Sequence, residues 1–198
     1  MVSYYANRRA GQPGAPLIVT FHGTGGTEDQ FHDLAGHLIP DAHIASPRGD
    51  VSEGGALRFF RRTGTGVYDM ADLARATSKT AAFVASERVR TGADRVIGLG
   101  YSNGANILAA TVFGAPELFS DLILLHPLIP FAPAPQPGLA GLRVLVTAGQ
   151  RDPVCPPALT RALSDWFRAQ GAAVTDHWHP GGHQIGPDEW VAIRSFLA

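Results

Sequence analysis

The segment Gly100-Tyr101-Ser102-Asn103-Gly104 follows the apolar run Val96 to Leu99 and leads into Ala105-Asn106-Ile107-Leu108-Ala109-Ala110. The order is a strand, a sharp turn and a helix, with a serine at the apex. A serine hydroxyl is a weak nucleophile. To act as one it must project from a strained turn toward a base and toward electrophilic backbone N–H groups, which this geometry supplies. Glycines two residues either side of the apex leave room for strand and helix to approach closely. In a chain with 23 glycines the competing reading is an ordinary loop. The strand before the pentapeptide and the helix after it favour the nucleophile elbow.

Elsewhere short apolar runs rich in branched residues alternate with longer amphipathic segments, the pattern of a mainly parallel sheet crossed by helices. Strands are expected at Leu17 to His22, Ala42 to Ser46, Arg95 to Leu99, Asp121 to Leu125, Arg143 to Thr147 and Val174 to Trp178. Helices are expected over Thr27 to Leu38, Tyr68 to Arg90, Asn103 to Phe113, Pro157 to Gln170 and Pro187 to Leu197. Thr27 before Glu28-Asp29 marks a helix start, and Gly171 after Gln170 marks a stop.

At 198 residues the chain fits one domain, 1–198, with a buried sheet covered on both faces. Sixteen basic and 17 acidic residues leave a net charge of -1, which provides no footprint for nucleic acid or an anionic membrane. A small neutral substrate is the more natural partner. The single cysteine, Cys155, excludes an intrachain disulfide and a cysteine-rich metal site. No apolar stretch approaches the roughly 20 residues that span a bilayer. The N-terminus lacks signal-peptide features, so a cytoplasmic location is expected.

Two long loops stand out. Pro47 to Val67 carries Arg58-Phe59-Phe60-Arg61-Arg62, and Pro127 to Gly138 holds five prolines. Loops of this length in a compact domain are often binding loops. Phe59, Phe60 and Arg61 are candidate substrate-wall residues, the alternative being a buried aromatic anchor with solvated or ion-paired arginines.

A catalytic serine needs a base, and the base an orienting carboxylate; in open parallel sheets such groups gather at the carboxyl ends of strands. Asp152 follows the strand Arg143 to Thr147. His183 sits in the glycine-flanked turn Pro180-Gly181-Gly182-His183-Gln184 after the last strand. Among the 8 histidines the strongest rival base is His126, at the end of a strand, which is also a candidate for substrate contact. Asp176 and Asp188 are rivals for the acid. His22 reads as part of a backbone-shaping loop. Oxyanion stabilisation calls for two backbone N–H groups, expected at Asn103 and, in Gly23-Thr24-Gly25-Gly26, at Thr24. The glycine loop lacks the paired lysine and hydroxyl residue of a phosphate-binding loop. His177 and His179 have no obvious carboxylate or cysteine set to complete a metal site.

The order Ser102, Asp152, His183, together with Phe21-His22-Gly23-Thr24-Gly25-Gly26, resembles the small α/β-hydrolase carboxylesterases of the phospholipase/carboxylesterase group, close to the dienelactone hydrolases. Ser46-Pro47-Arg48-Gly49 followed by Arg58 to Arg62 is similar to the branch associated with hydroquinone and catechol resistance. The resemblance implies a three-layer α/β-hydrolase fold with six or seven strands, a serine esterase mechanism on a small-molecule ester, no cofactor and often a homodimer. Dienelactone hydrolases proper carry cysteine at the elbow, so Ser102 argues against that lactone chemistry. The segment before Leu17 is too short for the full leading hairpin of larger relatives. No separate helical lid domain is evident. The same triad could serve a thioesterase or lysophospholipase, or be retained in a noncatalytic ligand-binding module.

Overall fold

The computed structural model describes residues 3–64 and 66–198. Its main sheet is built from β1 (Ala6–Arg9), β2 (Leu17–Phe21), β3 (His43–Pro47), β8 (Val96–Tyr101), β9 (Asp121–Leu125), β10 (Arg143–Gly149) and β11 (Ala173–His179), in the order β1-β3-β2-β8-β9-β10-β11. Every pairing is parallel except β1 with β3. Between β3 and β8 lie two short antiparallel hairpins, β4 (Val51–Glu53) with β5 (Ala56–Arg58), and β6 (Arg62–Gly64) with β7 (Val67–Tyr68). The helices are α1 (His32–Leu38), α2 (Met70–Thr91), α3 (Asn103–Gly114), α4 (Pro157–Ala169) and α5 (Pro187–Leu197).

The period-two alternation of the strands sorts the core into two layers. Leu17, Val19, Phe21, Val96, Leu122, Leu124, Val144 and Val146 pack with Leu73 and Phe83 of α2, Leu108 of α3 and Phe167 of α4. Ile18, Ile44, Ile97, Leu99, Ile123, Leu125 and Leu145 face the other way, against Ala35 of α1 and Ile193 of α5. A sheet covered on both faces needs apolar residues at every strand position, which is why these strands read as unbroken hydrophobic runs.

Three expectations are corrected. β1 lies outside the expected strands because Ala-Asn-Arg-Arg carries no apolar alternation. It is held by its ladder to β3 and by Arg8 Nε, 2.9 Å from Glu87 Oε1. The first helix begins at His32 rather than Thr27, the intervening residues forming turns. The 47–67 segment folds as two hairpins instead of an open loop. Among the described residues no helix is long and apolar enough to cross a membrane.

Parallel strands deliver their carboxyl ends to one edge. The loops that leave β2, β8, β9, β10 and β11 there carry Thr24, Ser102, His126, Asp152 and His183 respectively.

Candidate active site

Ser102 links β8 to α3 with φ 52° and ψ -117°. A non-glycine residue held there stores about 1–3 kcal/mol of strain, so the surroundings must enforce it. They do: the Ser102 N–H donates to Leu125 O at 2.9 Å. A Cβ on Gly104 would lie 2.1 Å from Phe21 O, and one on Gly100 2.5 Å from Gly104 O. Only hydrogen at both positions lets strand and helix close around the serine. The Ser102 side chain does not cap α3; its Oγ lies 3.0 Å from His183 Nε2.

His183 Nδ1 lies 2.8 Å from Asp152 Oδ2. The acid loop and the histidine loop meet because Gly149 has no side chain, where a Cβ would stand 2.0 Å from Gly182 O. Tyr101 Oη donates to the His183 carbonyl at 2.8 Å, and the two rings tilt over one another at 5.3 Å. Asp152 Oδ1 accepts the N–H groups of Val154 and Cys155, both at 2.8 Å. Burial alone would raise the Asp152 pKa, but the Cys155 N–H, His183, His126 and Val154 N–H bonds outweigh it and hold the carboxyl below its usual value.

Behind Asp152 lies a second tier. His126, fully buried and at φ 50°, places Nδ1 3.0 Å from Asp152 Oδ2 and Nε2 3.3 Å from Glu189 Oε1. Glu189 is itself buried and accepts from the Gly186 N–H at 2.6 Å and from the Thr147 hydroxyl. Burial works against a charged His126, yet the flanking Glu189 and Asp152 carboxylates raise its pKa. Burial works against the Glu189 charge too, and His126, Thr147 and Gly186 lower its pKa in return.

His126, His179 and Glu189 are close enough together to bracket a metal ion. Their hydrogen bonds suit protons instead. The Gly181 N–H donates to His179 Nδ1 at 3.1 Å, which places the proton of the neutral ring on Nε2, 3.4 Å from Glu189 Oε1.

Thr24 and Asn103 both line the cleft with Ser102. In the glycine loop the Gly23 N–H bonds Gln30 Oε1, the Gly25 N–H bonds Leu57 O and the Gly26 N–H bonds Gly23 O, leaving the Thr24 amide outside this net. Asn103 opens α3, where first-turn N–H groups have no carbonyl four residues back and the helix dipole favours negative charge. His22 Nε2 accepts the Gly49 N–H at 2.8 Å and its Nδ1 lies 2.7 Å from Gly23 O, so it shapes the loop, as expected.

The cleft has a volume of about 230 Å³. Besides Ser102 and His183 its walls include Tyr68, Tyr101, Leu128, Val154, Arg58 and Arg62. The expected substrate wall needs correction. Phe59 and Phe60 are fully buried in the core, and Arg61 is exposed and does not line the cleft. The Phe59 N–H instead donates to Asn103 Oδ1 at 2.8 Å, tying this segment to the elbow. His126 does not reach the cleft as base or substrate contact, since both its ring nitrogens face buried groups. Asp176 bonds Ser164 and Arg168, and Asp188 lies 3.1 Å from His177, so neither acid rival addresses His183. No sequence pattern marks Tyr68, Tyr101, Asn106 or Glu189 as a site residue. Asn106 Oδ1 accepts the Leu128 N–H at 2.6 Å, pinning the proline-rich loop to α3.

No protein-family model matches the chain. MhqD of Bacillus subtilis (strain 168), provisionally named a hydrolase, is 38% identical over 182 residues, 91% of each chain. A carboxylesterase from Bacillus cereus is 33% identical with a TM-score of 0.90, over 98% of this chain and 93% of that one. The chain belongs to the α/β-hydrolases and is a carboxylesterase-like hydrolase. These matches bear out the resemblance to the small α/β-hydrolase carboxylesterases. The hydrolase fold is also that of Atu2452 from Agrobacterium tumefaciens str. C58, a protein of unknown function, which is 57% identical with a TM-score of 0.95 over 98% of this chain and 95% of that one.

Proposed function

We propose that this hydrolase is a serine carboxylesterase that cleaves small to medium carboxylic esters through an acyl-enzyme on Ser102. The observation that carries the reading is the unbroken line from Ser102 Oγ to His183 Nε2, 3.0 Å, and from His183 Nδ1 to Asp152 Oδ2, 2.8 Å, at the wall of an open cleft.

His183 takes the Ser102 proton on Nε2 as Oγ attacks the ester carbonyl. Ionised Asp152 keeps the other ring proton on Nδ1 and stabilises the imidazolium that forms. Thr24 and Asn103 present backbone N–H groups to the developing oxyanion, each worth about 100- to 1,000-fold in rate. Collapse of the tetrahedral intermediate breaks the bond to the alcohol oxygen, which takes the proton from His183. Water then attacks the acyl group with His183 as base, and the acid leaves as Ser102 regains its proton. The test is steady-state hydrolysis of 4-nitrophenyl acetate and butyrate. Ser102→Ala is expected to abolish it with the fold intact by circular dichroism; normal turnover by that variant would refute the assignment.

A further inference from the structure

We propose that Arg58 and Arg62 form an anion subsite beside Ser102, so that the preferred substrate is an ester carrying a carboxylate on its acyl or alcohol limb. The inference rests on the esterase reading above and adds the charge of the substrate.

Among the described residues that line the cleft there are two arginines and no carboxylate. Arg58 is only 5% exposed, and a desolvated guanidinium ordinarily has a carboxylate of its own. Here its hydrogen bonds go to neutral acceptors, Nη1 to Thr24 Oγ1 at 2.8 Å and Nε to Phe60 O at 3.2 Å. The one acid in reach among the described residues is Glu53, whose Oε2 lies 3.3 Å from Arg58 Nε. Glu53 is already engaged by Arg62, through Nε at 2.9 and 3.1 Å and Nη2 at 2.8 Å. One carboxylate therefore serves two guanidinium groups, and one positive charge is left over at the cleft wall. Burial and the neighbouring Arg62 both work against the Arg58 charge. An incoming carboxylate would relieve that imbalance. Nη2 of Arg58 has no hydrogen-bond partner among the described residues, and a guanidinium fork matches a carboxylate in geometry as well as charge. Because Arg58 touches Thr24, beside the expected position of the oxyanion, the subsite suits an anion a few bonds from the scissile carbonyl.

Paired substrates test this. Monoethyl succinate and monoethyl glutarate are compared with their diethyl esters by ethanol release, which places the anion on the acyl limb. 4-Carboxyphenyl butyrate is compared with its methyl ester, which places it on the alcohol limb. In at least one arm kcat/KM for the anion is expected to exceed that of the neutral partner by about tenfold or more, and the ratio to shrink as salt screens the charges. Arg58→Gln removes the subsite charge, and Arg62→Gln releases Glu53 to neutralise Arg58, so both lower the ratio. Glu53→Gln raises it. If Arg58 merely braced Thr24, both members of a pair would slow together and the ratio would not move. Turnover of neutral esters with ratios at or below one in both arms overturns the subsite and leaves the esterase reading standing. Absence of turnover on every ester overturns the esterase reading, and the subsite falls with it.

Discussion

His126 and His183 share one oxygen of Asp152: Oδ2 lies 3.0 Å from His126 Nδ1 and 2.8 Å from His183 Nδ1. Asp152, the acid of the proposed triad, is thus the middle of a longer chain, Ser102, His183, Asp152, His126, Glu189, whose inner half is wholly buried. His126 is a positioning residue in this arrangement, fixing Asp152 from behind while His183 faces the cleft.

Removing His126 leaves Asp152 and Glu189 as buried carboxylates with no ring between them. His126→Ala is expected to lower the unfolding free energy by about 3–5 kcal/mol in urea titrations, the range for breaking a buried charge pair. Glu189→Gln in the same background should return part of it, because the two changes are coupled. A loss under about 1 kcal/mol would contradict the paired-ion picture. Below its melting transition His126→Ala should still turn over 4-nitrophenyl butyrate, whereas His183→Ala loses a factor of about a thousand or more. The reverse pattern would give the base role to His126.

The strain at Ser102 has its own signature. Ser102→Gly removes the conflict between a side chain and φ 52°, while Ser102→Ala keeps it. Both variants lose the hydroxyl, so the glycine variant should be the more stable by about 1 kcal/mol or more. Equal midpoints in urea would show that the elbow is not strained.

Gly149 holds two loops together. A methyl group there would stand 2.0 Å from Gly182 O and force the Asp152 and His183 loops apart. Gly149→Ala should cost about 100-fold in kcat/KM, the scale of an ångström-sized misplacement, with a smaller change in KM. Unchanged turnover would mean that the contact does not position His183.

Stability should depend on pH in two directions. The pKa values of Asp152 and Glu189 are held below their ordinary 3.8 and 4.5, so their contribution is present above those values and lost as pH falls through the folded ones. His126 is raised above 6.5; its contribution is complete below that value and lost as pH rises through the folded one. The cluster therefore stabilises the fold most between about pH 4.5 and 6.5. Urea midpoints measured from about pH 3 to about pH 9 should show both declines, with the alkaline one reduced in His126→Ala.

The parallel strands and the elbow were legible because each imposes a local pattern. Runs such as Leu122 to Leu125 are apolar on both faces, and Gly100 and Gly104 flank Ser102 at the spacing that steric closure requires. Asp152 and His183 were legible from their places just past strand ends. The inner tier was not. Glu189 lies on α5, where an acid in the first turn reads as an ordinary complement to the helix dipole, and only the packing of α5 on the sheet aims it at His126. Phe59 and Phe60 misled for a related reason, since aromatic residues in a loop look like a substrate wall until the hairpins fold them into the core. β1 escaped because its cause is a partner strand, not a pattern of its own.

Mass spectrometry of the acid-quenched protein, caught during turnover of a slowly deacylating aryl ester, tests the mechanism most directly. The expected result is one acyl group on the peptide containing Ser102, absent from Ser102→Ala and accumulating too slowly to detect in His183→Ala. An acyl group on another residue, or ester turnover with no adduct in a variant whose Ser102 is gone, would contradict it.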